Sequence, residues 1–205
     1  LRSAKASFWM EVFPHRTSSN GLQSSRIRAY QQAYCAKEFQ QEFDHARARF
    51  PKGYLRIIEA GPHLGDCLLW AAARHGCTRL RATGFEAMHH IVRMARRSVL
   101  QNAMQECLTF NMAFLSDTSS DFSPVPGTPS VKLDSYVTGF VHILKIHTNG
   151  GEDAVLRGAR ESFTNDAHGV AVVIVNSAME EVLFRVLDFF SALPTAYALE
   201  LDERG

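Results

Sequence analysis

From residue 54 onward, short apolar runs of strand length alternate with longer segments in which apolar residues recur at helical spacing. The predicted strands cover residues 54–59, 78–86, 107–113, 141–147, 169–176 and 195–201. The predicted helices between them cover residues 65–75, 88–103, 152–163 and 178–193. Strands that alternate with helices indicate an α/β fold, in which a mostly parallel central sheet is flanked by helices on both faces.

Residues 1–53 precede this alternation and predict a different kind of structure. Residues 1–22 show no sustained period and predict an irregular lead-in. In residues 24–50, Tyr30, Tyr34, Phe39 and Phe43 lie near helical spacing among polar residues, which predicts an amphipathic helix. It packs on the core or, alternatively, covers a ligand crevice. We therefore predict an N-terminal extension over residues 1–53 and one α/β domain over residues 54–205.

Charge and hydropathy narrow the classes of partner. A chain of 205 residues with a formal net charge of +1 shows no electrostatic sign of nucleic acid or of an anionic membrane surface. No apolar run approaches the roughly 20 residues of a membrane span. We therefore expect no nucleic-acid partner and no membrane span in this chain. Because it begins at Leu1 rather than at a methionine, the chain fits a fragment, so the missing signal peptide does not decide localisation.

The cysteines Cys35, Cys67, Cys77 and Cys107 are scattered and form no Cys-x-x-Cys pair. This spacing argues against a zinc site and against a disulfide framework. We expect them to be small buried hydrophobic residues of a protein in a reducing compartment, which favours an intracellular location.

The end of the first predicted strand carries the first candidate site. Glu59 closes the strand, and Gly61 and Gly65 follow before the next helix. In such a turn the first glycine allows a sharp bend, and the second lets the backbone approach a ligand or packs the helix on the strand. The helix N-terminus also presents free N–H groups to a ligand. The turn alone leaves both interpretations open: a nucleotide-like ligand, or packing.

A second acid, Glu86, closes the second predicted strand. An acid at this position, in the strand that follows a glycine-rich turn, is placed to accept hydrogen bonds from both hydroxyls of a ribose. The alternative is a solvated strand-end carboxylate. Together with the glycine turn and the alternation of strands and helices, Glu86 predicts nucleoside binding.

An ordered series of motifs resembles a known family. Residues 58–66 (IEAGPHLGD) resemble the first motif of class I S-adenosylmethionine-dependent methyltransferases. The series continues with residues 84–86 (GFE), 111–117 (NMAFLSD), 132–134 (KLD) and 143–159 (ILKIHTNGGEDAVLRGA). In order and approximate spacing over residues 54–176, the set is similar to the FkbM family of methyltransferases.

This resemblance implies a Rossmann-like class I methyltransferase fold, a bound S-adenosylmethionine, and O-methylation of a small molecule or a sugar hydroxyl. By position in the motifs, the cofactor-binding candidates are Glu59, Gly61, His63, Gly65, Glu86, Ala113, Ser116 and Asp117. Glu59 would lie under the methionine end, Glu86 would bind the ribose, and residues 113–117 would lie beside the adenine. Lys145 and His147 belong to the floor where donor and acceptor meet and are the catalytic candidates.

The chain departs from the family pattern at this floor. The family has Leu-Lys-Ile-Asp-Val-Glu-Gly, whereas His147 and Asn149 replace the two acids here, and Asn176 stands where an acid follows the fifth strand. Imidazole titrates near neutrality, so His147 is either the general base or a sign of lost activity. Histidine and asparagine do not offer a hard cation the charge of paired carboxylates, and we expect no metal. Lys145 lies in an apolar strand and needs a partner, for which we predict Asp134.

Three functions are compatible with these residues. The first is an S-adenosylmethionine-dependent O-methyltransferase, and the second is a module that binds the cofactor without catalysis. A nicotinamide-dependent oxidoreductase is disfavoured because the turn is Gly-x-x-x-Gly rather than Gly-x-Gly-x-x-Gly. The sequence identifies neither the acceptor nor the oligomeric state. If the chain is truncated, an exposed sheet edge would favour association.

Overall fold

The computed structural model describes residues 8–11, 37–165, 169–177, 179–194 and 197–198. Of the predicted strand at 195–201, only residues 197 and 198 lie within these ranges. The first half of the predicted N-terminal helix lies outside them. The helices are α1 (Lys37–Arg49), α2 (Asp66–His75), α3 (His89–Gln101), α4 (Glu152–Arg157), α5 (Arg160–Thr164) and α6 (Glu180–Ser191). The strands are β1 (Leu55–Ala60), β2 (Leu80–Glu86), β3 (Leu108–Met112), β4 (Phe114–Leu115), β5 (Ser130–Val131), β6 (Val141–Ile146) and β7 (Val170–Val175), with a 3₁₀ helix at Leu133–Ser135.

Five strands form a parallel sheet in the order β3-β2-β1-β6-β7, which confirms the predicted α/β fold. The chain passes from β1 to β2 on one side of the sheet centre, and β6 lies on the other side of β1. The strand order therefore reverses between β1 and β6. In open α/β sheets, ligands bind outside the carboxyl ends of the strands at such a point.

Two hydrophobic clusters cover the two faces of the sheet. Successive side chains of a strand point to opposite faces, so Ile57 belongs to one cluster and Ile58 to the other. The first cluster includes residues of α1, α2 and α3, and the second includes residues of α4, α5 and α6. Helices thus bury both faces, and this burial explains why the strands read as nearly continuous apolar runs.

Helix α1 packs on the core of the domain. Phe39 and Phe43 are fully buried, and the ring of each meets Trp70 of α2 edge-on at 6.1 Å between centroids. At the C-terminal end of α1, Arg47 donates hydrogen bonds to the carbonyls of Gly53 and Arg79, next to the amino-terminal ends of β1 and β2. Helix α1 therefore contacts the sheet at the amino-terminal ends of the strands, whereas Met10 packs against Leu64, Ile91 and Met94.

The predicted helix at 152–163 is divided into α4 and α5 at Gly158. A Cβ atom at Gly158 would lie 2.0 Å from the carbonyl oxygen of Ser116, so the two segments approach more closely than any side chain allows. The carboxylate of Asp134 caps the N-terminus of α5, because it accepts hydrogen bonds from the backbone N–H groups of Glu161 and Ser162 at 2.9 Å each. The prediction that Asp134 is the partner of Lys145 is therefore wrong.

The cysteine prediction is wrong for two residues. Cys77 and Cys107 form a disulfide, with their Cα atoms 5.1 Å apart, which joins the segment before β2 to the residue before β3. Cys67 is buried, as expected, and Cys35 lies outside the described residues. Since one pair is oxidised, the cysteines do not favour a reducing compartment. Among the described residues, no helix is long and apolar enough to cross a membrane.

Loss of this disulfide should destabilise the domain. For a sequence separation of 30 residues, chain entropy predicts a loss of roughly 3 to 4 kcal/mol in the free energy of unfolding. Denaturant titration of the wild type with and without reductant measures it directly. The Cys77→Ser/Cys107→Ser double variant is the control and should not respond to reductant. Equal wild-type stability under both conditions would show that the bond does not form in solution.

Candidate functional site

The glycine turn after β1 lies directly against the end of β6. Gly61 has a φ of +73°, and its N–H donates to the carbonyl of Phe85 at 2.9 Å. A Cβ atom at Gly61 would lie 2.1 Å from the carbonyl oxygen of His147. The backbone N–H of His147 donates in turn to the carbonyl of Ala60. Glycine is therefore required here by both the backbone conformation and the close approach of the two loops.

Gly65 has a packing role. Its φ is +79°, and a Cβ atom there would lie 2.4 Å from the ring of Phe110 on β3. The same ring would lie 2.7 Å from a Cβ atom at Gly84 on β2. The aromatic side chain therefore fills the space that two glycines leave, and this contact brings the start of α2 close to the sheet. Of the two interpretations that the sequence left open for Gly65, the contacts favour packing of helix on strand.

Glu86 is nearly buried at the end of β2 and connects two backbone segments. Its Oε2 accepts the N–H of His63 in the glycine turn at 3.1 Å, and its Oε1 accepts the N–H of Met88 before α3 at 3.0 Å. Burial raises the pKa of Glu86, against the lowering effect of these N–H groups. An ionised carboxylate has about four acceptor positions, and the N–H of Ala87 also interacts with this one, so capacity for at least one further donor remains.

Lys145 forms a buried ion pair with Glu59. The two residues are directly opposite each other in the parallel register of β1 and β6, so both side chains project from the same face. The Lys145 Nζ lies 2.5 Å from Oε1 of Glu59. Burial lowers the pKa of Lys145, but the charges of Glu59, Cys67 and Asp66 together raise it above its ordinary value. The ammonium is therefore charged and engaged with Glu59.

Glu59 retains one oxygen for another group. Its exposed fraction is 1%, and its Oε2 has no hydrogen-bond partner among the described residues. A buried carboxylate oxygen without a donor carries a large desolvation cost. This oxygen is therefore a candidate acceptor for a cationic or hydrogen-bond-donating part of a ligand.

Asp66 is a third charged residue at this position, and the sequence prediction missed it. It begins α2 with an exposed fraction of 3%, and its charge interacts with those of Glu59 and Lys145. Burial, followed by the negative charge of Glu59, raises the pKa of Asp66 to about 7. The signal in the sequence was a single acid at a helix start, which normally indicates only a favourable interaction with the helix dipole. We refer to Glu59, Asp66 and Lys145 as the buried charge cluster.

The loop after β6 presents His147 to the solvent at the ligand edge. Burial of part of the ring lowers the pKa of His147, Lys145 lowers it further, and Glu152 and Glu59 oppose both effects. The imidazole is therefore neutral over a wider pH range than that of an ordinary histidine. Asn149, in the next turn, is exposed and has a left-handed backbone with φ of +55°.

Glu152 was not singled out from the sequence, yet it determines the shape of this loop. It is fully buried at the start of α4, and its carboxylate accepts the N–H of Thr148 at 2.8 Å and that of Gly150 at 3.0 Å. The hydroxyl of Thr148 and Oδ1 of Asn176 are buried without hydrogen-bond partners among the described residues. These two polar atoms are thus available to a ligand at the floor of the site.

Three histidines interact electrostatically near the glycine turn. His63 has a left-handed backbone with φ of +51°, and burial, followed by the charges of His90 and His147, lowers its pKa to about 4. His63 is therefore neutral at physiological pH, close to the candidate base. The described residues contain no group of three or more histidine, cysteine or acidic side chains with the arrangement of a metal site.

The predicted adenine segment lies partly beside Glu86 and partly on the surface. Ala113 is buried, and its N–H donates to the carbonyl of Glu86 at 3.1 Å. Ser116 joins the short β4–β5 pairing through its N–H. Asp117 instead binds the guanidinium of Arg157 at 2.9 Å, and this hydrogen bond lowers the pKa of Asp117. Ala113 therefore lies within the candidate site, whereas the Asp117 carboxylate is engaged in a surface ion pair.

The loop at 116–130 is attached to the same edge. The Thr128 hydroxyl is buried and donates to the carbonyl of Ala87 at 2.7 Å, directly after Glu86. The loop therefore contacts the end of β2 beside Glu86.

Comparison with known proteins identifies the fold. No family model matches the sequence, and no curated protein matches it. Similar solved structures include the methyltransferase FkbM from Methylobacillus flagellatus, with a TM-score of 0.56 and 16% identity over 69% of this chain and 38% of that chain. A precorrin-6y C5,15-methyltransferase from Geobacter metallireducens has a TM-score of 0.50 and 12% identity over 78% and 76% of the two chains. An S-adenosylmethionine-dependent O-methyltransferase from Thermotoga maritima has a TM-score of 0.50 and 11% identity over 84% and 56%.

The chain therefore has the Rossmann-like fold of class I methyltransferases, as the motif series implied. It spans well under half the length of the FkbM structure and just over half the length of the O-methyltransferase.

Proposed function

We propose that this chain is an S-adenosylmethionine-dependent methyltransferase that transfers a methyl group to an oxygen of a small acceptor, such as a sugar hydroxyl. The observation that carries the proposal is the position of two buried carboxylates, Glu59 and Glu86, on either side of the glycine turn at the ligand edge of the sheet. The likeness of the fold to solved methyltransferases, one of them an O-methyltransferase, supports the same class of reaction.

The residues present fit the cofactor. Glu86 would accept the two ribose hydroxyls on the oxygens that already bind the N–H groups of His63 and Met88. Oε2 of Glu59, which lacks a partner among the described residues, would accept a donor from the methionine end. Ala113, Ser116 and Asp117 belong to the segment that we place beside the adenine. When bound, the cofactor supplies an electrophilic methyl group on a sulfonium ion.

His147 is the proposed general base. An acceptor hydroxyl must lose its proton as its oxygen takes the methyl group, and a neutral imidazole nitrogen can receive that proton. The lowered pKa of His147 maintains the neutral form. The buried polar atoms of Thr148 and Asn176 would help to orient the acceptor, since methyl transfer depends on alignment of the acceptor oxygen with the methyl carbon.

A cofactor-binding module without catalysis is the second candidate. One observation favours it. Glu152, an acid beside the loop after β6, already accepts backbone N–H groups of that loop and is therefore not available to act as a base. A chain of this kind would bind S-adenosylmethionine and form no S-adenosylhomocysteine with any acceptor.

Calorimetric titration of the purified chain with S-adenosylmethionine tests the proposal, with NADH as the control ligand and no reductant, so that the disulfide stays intact. We expect binding in the micromolar range for S-adenosylmethionine alone. Binding of neither ligand by the folded chain would contradict both candidates. Formation of S-adenosylhomocysteine with a panel of sugars would then distinguish the enzyme from the binding module.

Replacement of Glu86 by alanine should weaken S-adenosylmethionine binding by roughly 1 to 3 kcal/mol, because buried hydroxyl donors would lose a charged acceptor. The same calorimetric titration measures the loss. Glu106→Ala, which removes an exposed acid just before β3, is the matched control and should bind normally. Wild-type affinity in a folded Glu86→Ala variant would exclude Glu86 from the site.

A further inference from the structure

The amino-terminal ends of β1 and β2 carry a concentration of positive charge. Residues 45–58 contain four arginine and lysine residues, residues 74–81 contain three, and neither segment contains an acid. The two segments meet because β1 and β2 are parallel neighbours and begin at the same edge of the sheet. We call this edge the basic edge, and it lies opposite the carboxyl ends of the strands, where the candidate site is. Its cations are Arg47, Arg49, Lys52, Arg56, Arg74, Arg79 and Arg81.

Contacts between the two segments gather these charges on one surface. Arg56 lies directly opposite Arg81 in the register of β1 with β2, so both side chains leave the same face of the sheet. Arg47 donates hydrogen bonds to the carbonyls of Gly53 and Arg79. Burial, followed by the charge of Arg79, lowers the pKa of Arg47. Positive charges gathered in this way repel one another, so a bound anion would be stabilised.

The basic edge has little compensating negative charge. Among the described residues, the one ion pair between an arginine or lysine of this edge and an acid joins Arg74 to Asp44 at 3.1 Å. Arg56 donates instead to the hydroxyl of Thr138 at 3.1 Å, and Arg81 donates to a backbone carbonyl at 2.8 Å. Because these acceptors are neutral, most of the positive charge stays available to an anion outside the chain.

Aromatic rings lie among the cations. Tyr54, directly before β1, has an exposed fraction of 53%, and the guanidinium carbon of Arg81 lies 5.5 Å from the centroid of its ring. Phe140 has an exposed fraction of 41% and lies 5.7 Å from Phe50 between ring centroids. The guanidinium of Arg49 lies 5.5 Å from the centroid of the Phe50 ring. Exposed rings beside guanidinium groups are the combination on which bases stack while phosphates are bound.

We propose that the basic edge binds a single strand of nucleic acid, with phosphates on the arginine and lysine side chains and a base stacked on Tyr54. The net charge of +1 predicted no such partner because it averages over the whole chain, whereas binding depends on the local field. A single strand is favoured over a duplex because its bases are free to stack. An anionic membrane surface is disfavoured because α1, the helix at this edge, contains Glu42 and Asp44 and so lacks a uniformly basic polar face.

This inference goes beyond the proposed function and does not depend on it, since the basic edge and the candidate site are at opposite ends of the strands. Fluorescence anisotropy of a labelled oligoadenylate RNA, titrated with the full chain without reductant, tests the inference. We expect binding that weakens as salt is added, because phosphate contacts release counterions.

Two sets of variants separate the phosphate contacts from the stacking. Arg49→Gln/Lys52→Gln/Arg79→Gln removes three exposed cations. Each phosphate contact adds roughly 0.7 to the slope of log affinity against log salt, so the slope should become smaller by about 2. Tyr54→Ala should weaken binding of the RNA by roughly 5- to 150-fold, whereas Tyr54→Phe, which keeps the ring, should bind like the wild type.

The controls are matched in charge and in chemistry. Lys37→Gln/Arg93→Gln/Arg160→Gln removes three exposed cations elsewhere and should keep the wild-type affinity and slope. Inorganic polyphosphate has phosphates without bases, so Tyr54→Ala should not weaken its binding.

Three results would overturn the inference: no binding of the RNA by the folded wild type, equal slopes for the two triple variants, or tighter binding to phosphatidylserine vesicles than to the RNA. The last would assign the edge to a membrane surface. All three would leave the proposed function standing, because S-adenosylmethionine binding is measured separately.

Discussion

Replacement of Lys145 by methionine should lower the free energy of unfolding at neutral pH by about 3 to 5 kcal/mol, the usual cost of removing one partner of a buried ion pair. The methylene stem is approximately retained, so the loss reports the ammonium rather than a cavity. Without it, Glu59 is left as a buried anion beside Asp66. Denaturant titration of the wild type and the variant measures the difference.

The pH dependence and a double variant separate this explanation from a general loss of packing. In Lys145→Met, acidification protonates the carboxyl groups of the cluster, so the deficit in stability should become smaller as pH falls. Glu59→Gln/Lys145→Met removes both charges and should recover much of the loss. Equal destabilisation of the single and double variants at every pH would argue against the buried charge as the cause.

Replacement of His147 by alanine should lower the rate of methyl transfer by roughly 10² to 10⁴, the usual contribution of a general base, and should leave the affinity for S-adenosylmethionine unchanged. The measurements are the rate of S-adenosylhomocysteine formation with a responsive sugar acceptor and calorimetric titration of the cofactor. Because the pKa of His147 is lowered, the neutral base persists below the ordinary value of 6.5. Wild-type activity should therefore persist into mildly acidic solution.

His89→Ala provides the matched control for this variant. His89 is an exposed histidine at the start of α3, and its removal should affect neither the rate nor the affinity. A His147→Ala enzyme with wild-type rates would exclude the base role. Loss of cofactor binding in the same variant would mean instead that the imidazole itself contributes to the cofactor site, because alanine keeps the backbone N–H that binds Ala60.

The elements that the sequence predicted well are those with the most regular pattern. Strands β1, β2, β6 and β7 lie within one or two residues of their predicted bounds, and for β1, β6 and β7 the reason is that strands buried on both faces are mostly apolar. Glu59 and Glu86 were singled out because each acid interrupts or ends such a run. Both lie at the ligand edge of the sheet, as predicted, although their roles toward the cofactor remain predictions.

Features that depend on pairs distant in sequence were predicted poorly. The separation of Cys77 from Cys107 carries no sign that the starts of β2 and β3 are neighbours, and this proximity is what brings the two sulfurs together. The close approach of Gly158 to Ser116, at the point where the predicted helix divides into α4 and α5, is likewise a contact between distant segments. The helix and strand preferences of neighbouring residues do not predict contacts between residues that are distant in sequence.

By itself, the sequence determined the order of strands and helices, the glycine turn, and the requirement that Lys145 find a partner in an apolar strand. Only the tertiary structure decided that the partner is Glu59 rather than Asp134, and that Asp66 joins them. The physical reason is strand register. Lys145 lies opposite Glu59 in the pairing of β1 with β6, and a shift of one residue would turn the ammonium to the other face of the sheet.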